Sequence, residues 1–129
     1  MIYLDASALV KLIFDEPQSD ALDAWLRART DLPKVTSELS TIELLRVCRR
    51  RDEAAVADAR VLLGGLDLIP LAGDVVERAT AIGPPDLRSL DAIHLASALS
   101  IKEALTAFVA YDQRLTAAAV AEQIPVATP

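Results

Sequence analysis

The sequence predicts an α/β domain, a parallel sheet with helices packed on both faces. Short apolar, β-prone runs alternate along the whole chain with segments whose apolar residues recur at helical spacing. Such alternation is the signature of βαβ units, which place helices on both sides of a sheet. The 129 residues fit one domain, residues 1–129, with little room for a second. Apolar residues make up 53% and charged residues 25%, enough to fill a core and too apolar for a disordered chain.

The elements follow in order. Met1–Leu4 reads as a short buried strand that runs at Asp5 into a helix carrying Leu9, Leu12 and Ile13 on one face. Asp15-Glu16-Pro17 breaks that helix, and Ser19 or Asp20 caps the next, which buries Leu22, Trp25 and Leu26. Lys34–Ser37 is a second strand. Helices from about Glu38 to Arg51 and from about Asp52 to Gly64-Gly65 follow, the glycines marking a C-terminal stop. Leu66–Leu71 alternates as a third strand, and Asp74–Ile82 is helical up to Gly83-Pro84-Pro85. Ser89 opens a long helix to about Glu103. Ala107–Tyr111 is a fourth strand, Asp112 starts a helix to about Glu122, and Ile124–Ala127 closes as a fifth strand.

Composition excludes several functions. Thirteen Lys and Arg against nineteen Asp and Glu give a net charge of −6, which is not the profile of a plain DNA-binding module. One cysteine, Cys48, excludes an internal disulfide framework, and one histidine, His94, excludes zinc sites built on several His or Cys ligands. The four glycines sit in neither of the two common phosphate-loop frames. No apolar run approaches the ~18 residues of a membrane span, and the N-terminus lacks the basic region of a signal peptide. A soluble, cytoplasmic protein is expected.

Four acids stand out by position. Asp5 ends the first strand, Asp112 ends the fourth, Glu43 lies near the start of the third helix, and Asp91 lies in the first turn of the Ser89 helix. In an open α/β sheet, ligands bind outside the carboxyl ends of the strands, and all four positions point to that edge. Carboxylates brought together repel, so their pKa values rise or a cation joins them. Oxygen ligands suit hard cations such as Mg²⁺ and Mn²⁺. Such a site lowers the pKa of a bound water and clamps a phosphodiester during in-line displacement. Each acid also has a plain structural reading. Asp5 and Asp112 fit helix N-caps. Glu43 fits a capping box with Ser40, or a pair with Arg46 or Arg50. Asp91 fits the acidic bias of a helix start.

Ser7, two residues after Asp5, reads either as a contact to water or phosphate or as a first-turn helix residue. His94 follows Asp91 by three, and a packed histidine with a satisfied hydrogen bond is the preferred reading over a ligand. Arg46, Arg49, Arg50 and Arg51 concentrate four of the thirteen basic residues; Arg46 and Arg50, on the Glu43 side of the helix, read either as phosphate contacts or as part of a solvated face paired with Asp52 and Glu53. Arg88 and Arg114 flank the later acids as further phosphate candidates. Tyr3, Phe14, Trp25, Phe108 and Tyr111 read as core rather than as base-stacking platforms.

The stretches MIYLDASALVKL, SELSTIELLRVCRR, LRSLDAIHLASAL and FVAYDQRL, in this order and at these separations, resemble the PIN domain, in particular the toxin ribonucleases of the VapBC toxin–antitoxin family. The resemblance spans Met1 to about Ala127 and rests on the ordered set. It implies a three-layer α/β/α sandwich with a mostly parallel five-stranded sheet in the order 3-2-1-4-5, which makes the strands ending in Asp5 and Asp112 neighbours at the topological switch point. It also implies metal-dependent RNA cleavage by Asp5, Glu43, Asp91 and Asp112. Asp5 and Asp91 would be the most direct ligands of Mg²⁺ or Mn²⁺, Asp112 would complete the site or act through water, and Glu43 would orient or activate the attacking water. The implied partner is a VapB-like antitoxin whose C-terminal segment wraps the toxin. A Lys or Arg of that segment entering the acidic site would make inhibition electrostatic as well as steric. Homodimers are implied too, with Leu22 and Leu26 as candidate interface residues that the core claims equally.

Two alternatives remain at this point. Asp5 resembles the nucleophile of a D-x-D phosphatase, but the third position is Ser7, and a receiver domain would need a Lys after the last strand, where none follows Lys102. A non-catalytic PIN-like module would engage a partner and hold no Mn²⁺.

Overall fold

The computed structural model describes residues 1–129. Its strands are β1 (Ile2–Leu4), β2 (Lys34–Ser37), β3 (Asp67–Ile69), β4 (Ala107–Val109) and β5 (Val126–Ala127). Its helices are α1 (Ala6–Ile13), α2 (Ser19–Arg27), α3 (Leu39–Arg51), α4 (Ala55–Gly64), α5 (Gly73–Ala81), α6 (Ser89–Ser100) and α7 (Gln113–Ala121). The strands pair in the order β3-β2-β1-β4-β5, every pair parallel. No helix is long and apolar enough to cross a membrane.

The central strand explains the two cores. Side chains alternate across a strand, so Ile2 and Leu4 point one way and Tyr3 the other, and all three are buried because helices cover both faces. On the Ile2 and Leu4 face lie Leu9 of α1, Leu22 of α2, Leu44 and Cys48 of α3, and Leu63 of α4. On the Tyr3 face lie Leu95 of α6, Leu115 of α7, and Phe108 of β4, whose ring stacks on Tyr3 at 5.2 Å. Leu22 is wholly buried in the first core and Leu26 packs against it, so Leu22 is not an interface residue.

The differences from expectation lie at element ends. α6 stops at Ser100, and residues 102–104 form a single 3-10 turn; the Met1 ammonium is anchored there by donating to Ala104 O at 2.6 Å. The third strand shrinks to three residues, since β3 is an edge strand and its Asp67 and Leu68 are exposed. α4 starts at Ala55, because Asp52 leaves helical geometry and its Oδ1 accepts from Ala54 N–H. Strands β4 and β5 are also shorter, at Ala107–Val109 and Val126–Ala127.

Candidate active site

A cleft of about 370 Å³ opens at the carboxyl edge of β1 and β4. Asp5, Ser7, Glu43, Arg88, Asp91, His94 and Asp112 all line it, so the four acids marked in the sequence share one cavity. A larger cavity of about 820 Å³ lies among Arg78, Ile82, Leu99–Ala104 and Glu122, where chain segments lead into β4 and β5. It contains none of the four acids, and its volume alone does not make it a site.

The sheet positions Asp5. Its N–H donates to Val109 O at 3.0 Å, carrying the β1–β4 ladder one residue past the strand. Its Oδ1 caps α1 by accepting from Ala8 N–H at 2.9 Å and also accepts from Ser7 Oγ at 2.6 Å. Ser7 Oγ in turn accepts from Tyr111 N–H at 3.1 Å, which ties the start of α1 to the exit of β4. Asp5 Oδ2 makes no hydrogen bond within the protein. The cap and site readings are therefore compatible, since a cap occupies one carboxylate oxygen and leaves the other. Burial pushes the Asp5 carboxyl above its usual range, against the opposing Ser7 hydrogen bond.

Glu43 is not in a capping box. Ser40 Oγ is 2.6 Å from Thr36 Oγ1, which donates to Leu4 O, so Ser40 serves to fix α3 against β1 and β2. Glu43, one turn on, has Oε1 2.7 Å from His94 Nε2, and no ion pair joins it to Arg46 or Arg50. His94 is buried, and its Nδ1 lies 2.8 Å from Tyr3 Oη. It is packed with a partner at each ring nitrogen.

Asp112 caps α7 by accepting from Leu115 N–H at 3.0 Å through Oδ1. Its Oδ2 stands 3.6 Å from Arg88 Nη2, and Arg88 Nε stands 3.6 Å from Asp91 Oδ2. Burial first, and then the Asp112 charge, push the Asp91 carboxyl up, while Arg88 offsets part of the rise. Position had marked Arg88 only as a flanking cation; its contact with both acids depends on tertiary structure. Arg114 is exposed and does not line the cleft.

Arg51 pairs with Glu16 at 2.8 Å and lies over the Phe14 ring, whereas Arg46, Arg49 and Arg50 line an exposed depression with Glu53 and form no ion pair. Tyr3 and Phe108 are core residues, and Phe14, Trp25 and Tyr111 are half-buried against the first core.

The donor set consists of carboxylate oxygens, the chemistry of a hard divalent cation. Two carboxyls displaced upward and one exposed guanidinium leave a surplus of negative charge that such an ion would relieve. The residues fit a metal in type. The site is open, with no three acidic, His or Cys side chains grouped closely enough to form a ready-made metal centre.

A doubly wound parallel sheet with acids gathered at its switch point defines an α/β/α domain with an acidic cleft at its carboxyl edge. Residues 2–121 match the PIN domain family. The chain is 50% identical over 118 residues to Ribonuclease VapC47 of Mycobacterium tuberculosis, covering 89% of this chain and 87% of that protein. It is 44% identical to Ribonuclease VapC35 of the same species, covering 100% and 97%. Among solved structures, the Mycobacterium tuberculosis VapC20 toxin superposes with a TM-score of 0.72 at 17% identity, covering 92% of this chain and 95% of that one. A toxin–antitoxin complex from Klebsiella pneumoniae superposes with a TM-score of 0.73 at 23% identity, covering 100% and 98%. The chain belongs to the PIN-domain family and, within it, to the VapC ribonucleases.

Proposed function

We propose that this chain is the toxin of a type II toxin–antitoxin pair, an endoribonuclease that cuts RNA phosphodiester bonds with Mg²⁺ or Mn²⁺ and is restrained by a VapB-like antitoxin. The observation that carries the reading is the convergence of Asp5, Glu43, Asp91 and Asp112 on one cleft in a chain 50% identical to a named ribonuclease. PIN-domain VapC ribonucleases are in general dependent on a divalent metal, and the identity of the ion here is part of the proposal.

In this reading Asp5 and Asp91 hold the ion directly, and Asp112 completes the site or acts through water. When bound, the ion supplies Lewis acidity toward water and the scissile phosphate. Glu43, with Oε1 engaged by His94, presents its other oxygen to orient the attacking water and take its proton. Arg88 neutralises the outer acids until substrate and ion arrive. Arg46, Arg49 and Arg50 follow Glu43 along α3, where phosphates flanking the cut would meet unpaired cations. The acidic cleft also suits a Lys or Arg of the antitoxin segment. An RNA substrate fits action in the cytoplasm.

The test is cleavage of a total RNA pool by purified, antitoxin-free protein with Mg²⁺, with Mn²⁺ and with EDTA. Discrete metal-dependent fragments that vanish in Asp5→Asn and Asp91→Asn support the reading. Intact RNA under every condition, from folded protein, overturns it in favour of a binding module.

A further inference from the structure

We propose that His94 and Tyr3 are positioning residues, a buried relay that fixes Glu43 in the cleft with one carboxylate oxygen tied and the other free. The inference rests on Glu43 acting in the cleft as proposed above. Tyr3 sits on β1, His94 on α6 and Glu43 on α3, so the relay joins the central strand and both helix layers. Tyr3 Oη to His94 Nδ1 is 2.8 Å, and His94 Nε2 to Glu43 Oε1 is 2.7 Å. Tyr3 is wholly buried and His94 nearly so.

The direction of each bond follows from the protons available. A phenol keeps its proton at neutral pH, so the Tyr3 hydroxyl donates to Nδ1 while the other ring nitrogen faces the Glu43 carboxylate, an acceptor. The ring proton then resides on Nε2 and points at Glu43. Oε1 accepts it, and Oε2 makes no hydrogen bond within the protein. The Tyr3 and His94 rings meet edge to face at 6.0 Å and 81°, which packs the imidazole in one orientation. Glu43 is thus fixed from behind by a single directional donor, a constraint that an ion pair on a mobile side chain would not supply.

Two readouts test the relay. His94 is the chain's only histidine, so its ring nitrogens are read without ambiguity in a long-range nitrogen–proton NMR spectrum. The relay gives one fixed tautomer with the proton on Nε2, perturbed at Nε2 by Glu43→Gln and at Nδ1 by Tyr3→Phe. A proton on Nδ1, or averaging between tautomers, overturns it whether or not RNA is cut. In cleavage assays on an active wild type, His94→Leu lowers kcat about 10–100-fold with KM little changed, the scale for losing a supporting hydrogen bond behind a catalytic group. His94→Gln, whose amide nitrogen takes the place of Nε2, recovers most of the loss. In a Glu43→Gln background, His94→Leu costs nothing further. Full multiplication of the two losses, or a folded His94→Leu protein with wild-type kcat, overturns the relay and leaves the nuclease reading standing. Wild type that cuts no RNA overturns the nuclease reading, and the spectrum still decides the tautomer.

Discussion

On one wall of the cleft, Asp5 and Glu43 are held by hydrogen bonds from Ser7, Ala8 and His94; on the other, Asp91 and Asp112 face a single guanidinium, Arg88, at 3.6 Å. The inner wall is built into the sheet and the buried polar network. The outer wall has the Leu115 N–H cap on Asp112 and otherwise only charge contacts to Arg88, whose side chain is 73% exposed. Rigid carboxylates can fix where the reacting atoms sit, and the looser pair can close on them. The two walls should therefore respond differently to substitution, pH and salt.

The largest contrast is expected at Asp5. Asp5→Asn should lower metal-dependent cleavage about 10²–10³-fold, the scale for removing one preorganised electrostatic group. The same change should stabilise the fold. Burial raises the Asp5 carboxyl, so the folded state prefers the proton. Stability from this group is fully present below its unfolded pKa and lost as pH rises through the folded value. At neutral pH the ionised form costs stability, and Asn keeps an oxygen for Ala8 N–H without the charge. Thermal melts should show a rise of a few degrees, at roughly 4 °C per kcal/mol.

Asp112→Asn should cost less, about 10–100-fold in kcat, because its proposed role is through water or in support of the ion. Asn retains the cap on α7, so the melting temperature should hold. A loss as deep as that of Asp5→Asn would erase the distinction between the walls.

Ser7→Ala removes a hydrogen bond that lowers the Asp5 pKa. The acid limb of the pH–rate profile should therefore move to higher pH, while plateau activity changes little. The Asp91 carboxyl is also raised, so activity should fall with acidification even in wild type, as both groups take up protons.

The smallest effect is expected at Arg88. Exposed ion pairs are worth about 0.2–1 kcal/mol, so Arg88→Ala should tighten apparent Mn²⁺ binding by about 1.5–5-fold. The gain should fade as salt is raised. A salt-independent change would place Arg88 with the inner wall.

Much of the frame was legible in the chain. Short strand-like runs between helical segments located all five strands, and Asp5 and Asp112 stood out because each closes a strand and opens a helix. The strand order came from the family resemblance, since periodicity is blind to which strands pair. Element ends were less legible: nothing local shows that residues 102–104 turn out of α6 before β4, or that β3 is an edge. The Ser40 and Glu43 spacing fits a capping box, yet Thr36 claims Ser40 and His94 claims Glu43. Tyr3 and His94 are 91 residues apart, and only the folded sheet brings the phenol to the imidazole.

The central claim is that the two walls meet across one divalent ion. Calorimetric titration of the antitoxin-free protein with Mn²⁺ tests it most directly, with Asp5→Asn and Asp91→Asn beside the wild type. The account predicts saturable binding that weakens by about tenfold or more in each variant, or 1.4 kcal/mol. An isotherm unchanged in both variants, or RNA cut at full rate in EDTA, would contradict it.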